Sequence, residues 1–147
     1  RRRLPSLDTS ARGGPMPLSD EHKQYLADHT LAVLGTGKRD GSPQLSTIYY
    51  DWDGEKVYIS VTSDRAKWKN AVRNPNVALL VPDGRKQLIV YGTARGITDP
   101  DERDEHVVSL RARMGREVTD RAALRKEQDE ANRVMLEITP DRAFKND

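Results

Sequence analysis

Gln44-Leu45-Ser46-Thr47-Ile48-Tyr49-Tyr50-Asp51-Trp52-Asp53-Gly54-Glu55-Lys56-Val57-Tyr58-Ile59-Ser60-Val61-Thr62 decides the fold of this chain. Two β-rich runs, Gln44 to Trp52 and Lys56 to Thr62, flank the dipeptide Asp53-Gly54, which is a tight hairpin signal. The same grammar repeats outward. Upstream, Thr30 to Thr36 reads as a strand joined to Gln44 through Asp40-Gly41. Downstream, Val77 to Val81 and a long run from Gln87 to Ile97 are separated by Asp83-Gly84, and Arg133 to Thr139 reads as a sixth strand. Tight hairpins join antiparallel strands only, since parallel pairs need a long crossover. The pattern predicts a mainly β chain with peripheral helices, its six antiparallel strands forming a barrel or sandwich. It argues against a parallel nucleotide-binding sheet, and neither a G-x-G-x-x-G after a strand nor a P-loop is present.

Four helical stretches punctuate the strands. Ser19 is the expected N-cap of the first, with Asp20 and Glu21 in its first turn, Tyr25 and Leu26 on its apolar side and an end near His29. The second runs from about Asp64 to Arg73 and stops at Asn74-Pro75, because proline disfavours helix in the residue before it. The third starts at Asp99 as cap with Pro100 at the first helical position, and buries Val107, Leu110 and Met114. Its Arg111, Arg113 and Arg116 read as a solvated, salt-bridged face. A charged fourth stretch spans Thr119 to about Ala131. Gly92 and Gly96 interrupt the long strand and mark bulges or close backbone approach.

With 147 residues, 35% hydrophobic and 33% charged, the chain is expected to form one domain with a modest core. It has no cysteine, which excludes disulfides and thiolate chemistry. Residues 1–15 hold four Arg and one Asp, so the formal +2 of the whole chain leaves −1 for the rest. The basic excess belongs to an Arg-, Gly- and Pro-containing extension, expected to be disordered, ahead of a domain from Met16 to Asp147. A near-neutral domain argues against nucleic acid as a partner. No apolar run is long enough to span a bilayer and no signal peptide follows the first three arginines, so a cytoplasmic protein with no membrane partner is expected.

Chemistry is suggested where the third strand runs into the second helix, at Ser63-Asp64-Arg65-Ala66-Lys67. A helix start presents unpaired N–H groups and the positive end of a dipole, and Arg65 and Lys67 would add two cations there. That combination suits a phosphate; a solvated helix face explains the same residues. On the neighbouring strands, Gln44, Ser46 and Thr47, and Ser60 and Thr62, offer polar side chains that could hold a flat heterocycle, or that simply point outward. Tyr49, Tyr50 and Trp52 could line a pocket or an interface. His22, His29 and His106 have no partners at metal-ligand spacing, and no metal site is expected.

Taken together these residues resemble the pyridoxamine 5′-phosphate oxidase-like superfamily of flavin- and deazaflavin-binding split β-barrels, and within it the group named PPOX class F420-dependent oxidoreductases. The likeness rests on Leu31 to Thr36 with Asp40-Gly41-Ser42-Pro43-Gln44, on Leu45 to Tyr50, on the corner Ser63 to Pro75, and on Val77 to Val81 with Tyr91-Gly92-Thr93-Ala94. The resemblance implies a six-stranded Greek-key split barrel and a homodimer with two cofactor grooves at its interface. It places the cofactor phosphate on Arg65 and Lys67 and the ring along Gln44, Ser46, Thr47, Ile59, Ser60 and Thr62. Lys86 and Gln87 would come from the facing subunit. Trp68 departs from the family, where a smaller residue is common.

The resemblance further implies an oxidoreductase that uses coenzyme F420 as hydride donor to a small organic substrate, with FMN as the alternative cofactor and a non-catalytic carrier as the alternative role. In such proteins the cofactor carries the chemistry, which matches a chain without a catalytic triad. The acidic oligoglutamate tail of F420 needs further cations, for which Lys69, Arg73, Arg85 and Lys86 are candidates. Tyr49, Tyr50 or solvent could supply a proton. Catalytic residues are otherwise unassigned.

Overall fold

The computed structural model describes residues 18–146, so the expectation for residues 1–15 lies outside the described residues. The elements follow in the order α1 (Asp20–Asp28), β1 (Leu31–Gly37), β2 (Pro43–Tyr49), β3 (Asp51–Trp52), β4 (Val57–Thr62), α2 (Ala66–Arg73), β5 (Asn76–Asp83), β6 (Lys86–Ile97), α3 (Pro100–Arg113), α4 (Arg121–Glu130) and β7 (Arg133–Asn146). All strand pairs are antiparallel, in one curled sheet of order β2-β1-β5-β6-β7-β4-β3. The expected β architecture with outlying helices is what the chain adopts.

Seven strands stand where six were expected, because the second is broken at Tyr50. β2 pairs with β1, whereas β3 pairs with β4 at the opposite edge of the sheet. Tyr50 makes the crossing: its N–H donates to the Thr30 carbonyl at 2.9 Å, its hydroxyl to the Leu26 carbonyl at 2.8 Å, and its ring is fully buried. The two sheet edges are therefore consecutive in the chain. The sheet curls until β2 approaches β4 without a hydrogen-bonded ladder between them, which is the split of a split barrel.

The helix boundaries follow local chemistry. Ser19 caps α1 in a capping box closed by His22. Asp99 caps α3 ahead of Pro100, and Asp120 caps α4 through the Ala123 N–H. β7 runs to Asn146 rather than Thr139. Its continuation past Pro140 lies opposite β6, across a register shift between Tyr91 and Gly92.

Two cores flank β4. Inside the barrel, Leu34, Val57, Ile59, Val61, Leu79, Leu88, Leu136 and Ile138 pack together. Outside it, Tyr58, Ile97, Met135, Val107 and Leu124 hold α3 and α4 against β4 and β7. β4 therefore buries Tyr58 as well as its inward residues, and only Ser60 and Thr62 keep partial exposure. Gly96 serves the expected close approach: a Cβ there would lie 2.6 Å from the Trp68 ring, which uses that space to seat α2 on β6.

Candidate functional site

At the split, the edge of β2 and the middle of β4 face a groove of about 640 Å³. Thr47, Ile48 and Tyr49 form one wall and Ser60 the floor; Lys67 enters from α2 and Arg133 from the first residue of β7. Arg133 is opposite Thr62 in the β4–β7 pairing, so the sheet itself sets this cation beside the strand-to-helix corner. Leu110 and Met114, expected in the core, instead line the groove from α3. β2 is hydrogen-bonded along one side only, so among the described residues its outer backbone edge has no strand partner. Such an edge offers N–H and C=O groups to whatever enters.

The electrostatics of the corner are one-sided. Lys67 is half-buried, and its ammonium pKa is pushed below the ordinary lysine value by burial first and then by the charges of Arg65 and Arg133. Among the described residues neither Lys67 nor the Arg133 guanidinium has a carboxylate or other hydrogen-bond partner. Two half-buried cations without a counter-ion are unfavourable, and an anion bound between them would relieve the cost.

The structure brings Thr47, Ser60 and Lys67 together on this groove. Thr62 adjoins it as the strand partner of Arg133. Arg65 is the N-cap of α2, makes no side-chain cap bond, and is exposed outside the groove lining. Ser46 is half-buried on the β2 face opposite Thr47. Gln44 shares that face and accepts from Asn70 Nδ2 at 2.7 Å, while Asn70 also reaches the buried Thr36 hydroxyl at 3.2 Å. Its carbonyl therefore fastens β2 to α2. Ile59 turns its side chain into the barrel core, where it is fully buried, so only its backbone could meet a ring in the groove. Lys86 and Gln87 lie on the β5–β6 hairpin, away from this groove. Arg73 is engaged elsewhere, donating to the Gly37 carbonyl at 2.8 Å and to Asn70 at 3.1 Å.

Sequence reasoning missed Arg133, Arg111, Arg116 and Gln128, all of which line the groove. It also read Arg113 as a solvated residue. That side chain donates to the carbonyls of Leu26, Ala27 and His29 at the end of α1 and lies over the Tyr50 ring.

The sequence pattern that defines the pyridoxamine 5′-phosphate oxidase family matches residues 18–147. The chain belongs to the pyridoxamine 5′-phosphate oxidase family. This is a family of flavin-binding split-barrel oxidoreductases. Among solved structures the chain is similar to an F420 reductase, with 27% identity over 86% of this chain and 98% of that one and a TM-score of 0.69. Its fold is also similar to that of a conserved hypothetical protein from Mycobacterium tuberculosis, with 24% identity over 91% and 88% of the two chains and a TM-score of 0.76. General stress protein 26 from Bacillus anthracis shares the fold at 18% identity, 85% and 91% coverage and a TM-score of 0.63. Among the described residues no helix is long and apolar enough to cross a membrane.

Proposed function

We propose that this member of the pyridoxamine 5′-phosphate oxidase family is a cytoplasmic oxidoreductase that uses coenzyme F420 as hydride donor to a small organic substrate. The carrying observation is the uncompensated Lys67–Arg133 pair at the mouth of a groove walled by a free strand edge. A phosphorylated, flat cofactor satisfies both features: its phosphate suits the cations and its heterocycle suits the β2 edge. The similarity to an F420 reductase favours the deazaflavin over FMN. FMN is the second reading, favoured by the family to which the chain belongs.

The residues that would hold the cofactor are Lys67 and Arg133 at the phosphate, with Arg65 adding long-range attraction, and Thr47, Ser60 and the β2 backbone along the ring. When bound, a deazaflavin supplies the hydride. The chain orients it, and Leu110, Met114 and Tyr49 restrict water on the other side of the groove. The Tyr50 hydroxyl is not a proton donor to substrate, because it is buried, donates to Leu26, and has its pKa raised by that burial.

A homodimer belongs to the same proposal. On the outer face of the sheet, strand pairing aligns Leu45, Gly35, Ala78, Tyr91 and Arg142 in one cross-strand row and Thr47, Val33, Leu80, Ile89 and Phe144 in the next. Leu45 is 70% exposed, Tyr49 55% and Phe144 54%, large values for apolar side chains on one face. Thr47 and Tyr49 lie both on this face and in the groove, so a second copy seated there would complete the groove wall, and Lys86 and Gln87 would reach a groove only from such a copy.

Fluorescence titration with F420 and with FMN tests the cofactor. Saturable F420 binding, followed by oxidation of reduced F420 on addition of an enone or quinone, is expected. Tight FMN binding without F420 binding would select the second reading, and F420 binding without turnover of any acceptor would make the chain a carrier.

A further inference from the structure

Only Ala131 and Asn132 separate the end of α4 at Glu130 from Arg133, the first residue of β7. So short a connection needs a sharp turn of the main chain. Asn132 supplies it: among the described residues it is the one non-glycine with a left-handed backbone, at φ 53°. Its N–H closes the helix end on the Asp129 carbonyl at 3.1 Å. Asparagine adopts this conformation more readily than most residues with a Cβ, and glycine more readily still. The Asn132 side chain is exposed and, among the described residues, makes no hydrogen bond. What this residue contributes is therefore its backbone.

That backbone is tied to the strand-to-helix corner. The Asn132 carbonyl accepts the Ser63 N–H at 3.0 Å, one step beyond the Thr62–Arg133 pair. The β4–β7 ladder thus runs directly into the turn that launches α2 and Lys67. From α3, the buried Arg103 reaches the same junction. Its guanidinium forms ion pairs with Asp104 at 2.8 Å and with Asp129 at 3.0 Å, and donates to the Arg133 carbonyl at 3.4 Å. Asp104 is held in turn by Arg125 at 2.6 Å. Neither Asn132 nor Arg103 lines the groove. Between them they fix the main chain of the residue whose guanidinium does.

The Arg133 side chain has no partner of its own, so its main chain decides how near it lies to Lys67. Left to themselves, two like charges move apart. We infer that Asn132 and Arg103 are positioning residues for the anion site: the left-handed turn and the buried guanidinium keep Arg133 beside Lys67 against the repulsion of the two cations. The inference rests on the proposal that an anion binds between them. With a loose junction, an incoming phosphate would have to draw the cations together before it could bridge them, and binding would weaken. With a fixed junction both donors stand ready, which is preorganisation from outside the groove.

Three variants test this with two readouts. Asn132→Val places a β-branched residue where φ is positive, Asn132→Gly keeps the turn without the side chain, and Asp129→Asn loosens Arg103 from an exposed position. The first readout is the titration midpoint of the Lys67 ammonium in the free protein, followed by NMR. The charges facing Lys67 are those of Arg65 and Arg133, so withdrawal of Arg133 should raise that midpoint toward an ordinary lysine. The second is affinity for F420 and for FMN by fluorescence titration. Asn132→Val should raise the midpoint and weaken binding about three- to tenfold. Asn132→Gly should match the wild type in both, and Asp129→Asn should fall between. A helix cap of purely structural importance would lower the melting temperature of Asn132→Val and leave the Lys67 midpoint in place. That result would overturn the inference, as would Asn132→Gly behaving like Asn132→Val. Asp129→Asn carries the same comparison if Asn132→Val does not fold, and an unmoved midpoint there removes Arg103 from the assignment. Failure of the cofactor reading shows differently: neither F420 nor FMN then binds the wild-type chain, while the Lys67 midpoints still report the junction.

Discussion

Two charged clusters lie along the same strand pair, β4 and β7, and they are balanced in opposite ways. Where Tyr58 faces Glu137, the buried carboxylate receives Arg95 through two bonds of 3.0 Å, Lys56 at 3.4 Å and the Tyr58 hydroxyl at 3.4 Å. Arg95 donation, the largest favourable influence, keeps the Glu137 carboxyl below its usual range. Where Thr62 faces Arg133, a half-buried cation meets another from Lys67 and neither finds an acid. The first cluster is complete within the chain and serves the fold. The second is incomplete, and a buried imbalance of one sign is tolerated where a ligand supplies the other.

The strand between the clusters offers the largest effect. Ile59, opposite Leu136, is fully buried between them. Ile59→Ala should destabilise the fold by about 2–5 kcal/mol, the usual cost of a core truncation, read by denaturant unfolding. A variant of unaltered stability but weakened cofactor binding would return Ile59 to the groove and undo the separation of core from site.

Lys67→Met and Arg133→Met should come next. Each should weaken F420 or FMN binding by about 1.5–3 kcal/mol, the worth of a hydrogen bond to a charged group. Thermal stability should hold or rise, because the substitution removes an unpaired cation from a half-buried position. Loss of stability with unchanged binding would mean that the cluster is structural after all. Arg95→Ala is the mirror experiment. It leaves Glu137 with Lys56 and the Tyr58 hydroxyl, and because the Arg95 side chain is 54% exposed the cost should be only about 1 kcal/mol, with cofactor affinity unchanged. Urea midpoints of wild type and variant decide it.

What the sequence made legible follows from how far each signal reaches. Asp40-Gly41, Asp53-Gly54 and Asp83-Gly84 are local turn chemistry, and all three hairpins form there. Ser19, Asp99 and Pro100 act within one helical turn and mark true boundaries. Lys67 was visible because corner and helix are adjacent in sequence. Arg133 was not, since only the pairing of β7 with β4 brings it there. Arg111 and Gln128 were hidden by packing of a helical hairpin that looks like solvated surface in one dimension. Alternation misled at β4, where Tyr58 and Ile59 are buried on opposite faces against different layers. Tyr50 sits inside a continuous β-like run, and nothing local announces that the chain changes sheet edges there. The final strand runs on past the expected end at Thr139, because Pro140 sits opposite Gly92 at the irregularity where a missing N–H is tolerated.

The smallest effect distinguishes the two clusters by titration. Lys67 titrates below an ordinary lysine because burial, then Arg65 and Arg133, disfavour its charged form. A lysine whose folded pKa is depressed binds protons less well than in the unfolded chain. Its contribution to stability is therefore unfavourable while it is charged, and stability recovers as pH rises from the folded value toward the unfolded one. Anion binding has the opposite dependence, since it requires the charged form. Cofactor affinity should fall on the alkaline side, through a limb below the ordinary lysine range, while the free protein gains slightly in stability over the same interval. Lys67→Arg should keep affinity and abolish the limb, because guanidinium stays charged. Arg65→Gln should move the limb upward by removing one of the two repelling charges. A limb that persists in Lys67→Arg would assign the titration to another group and take from the corner its claim to the phosphate.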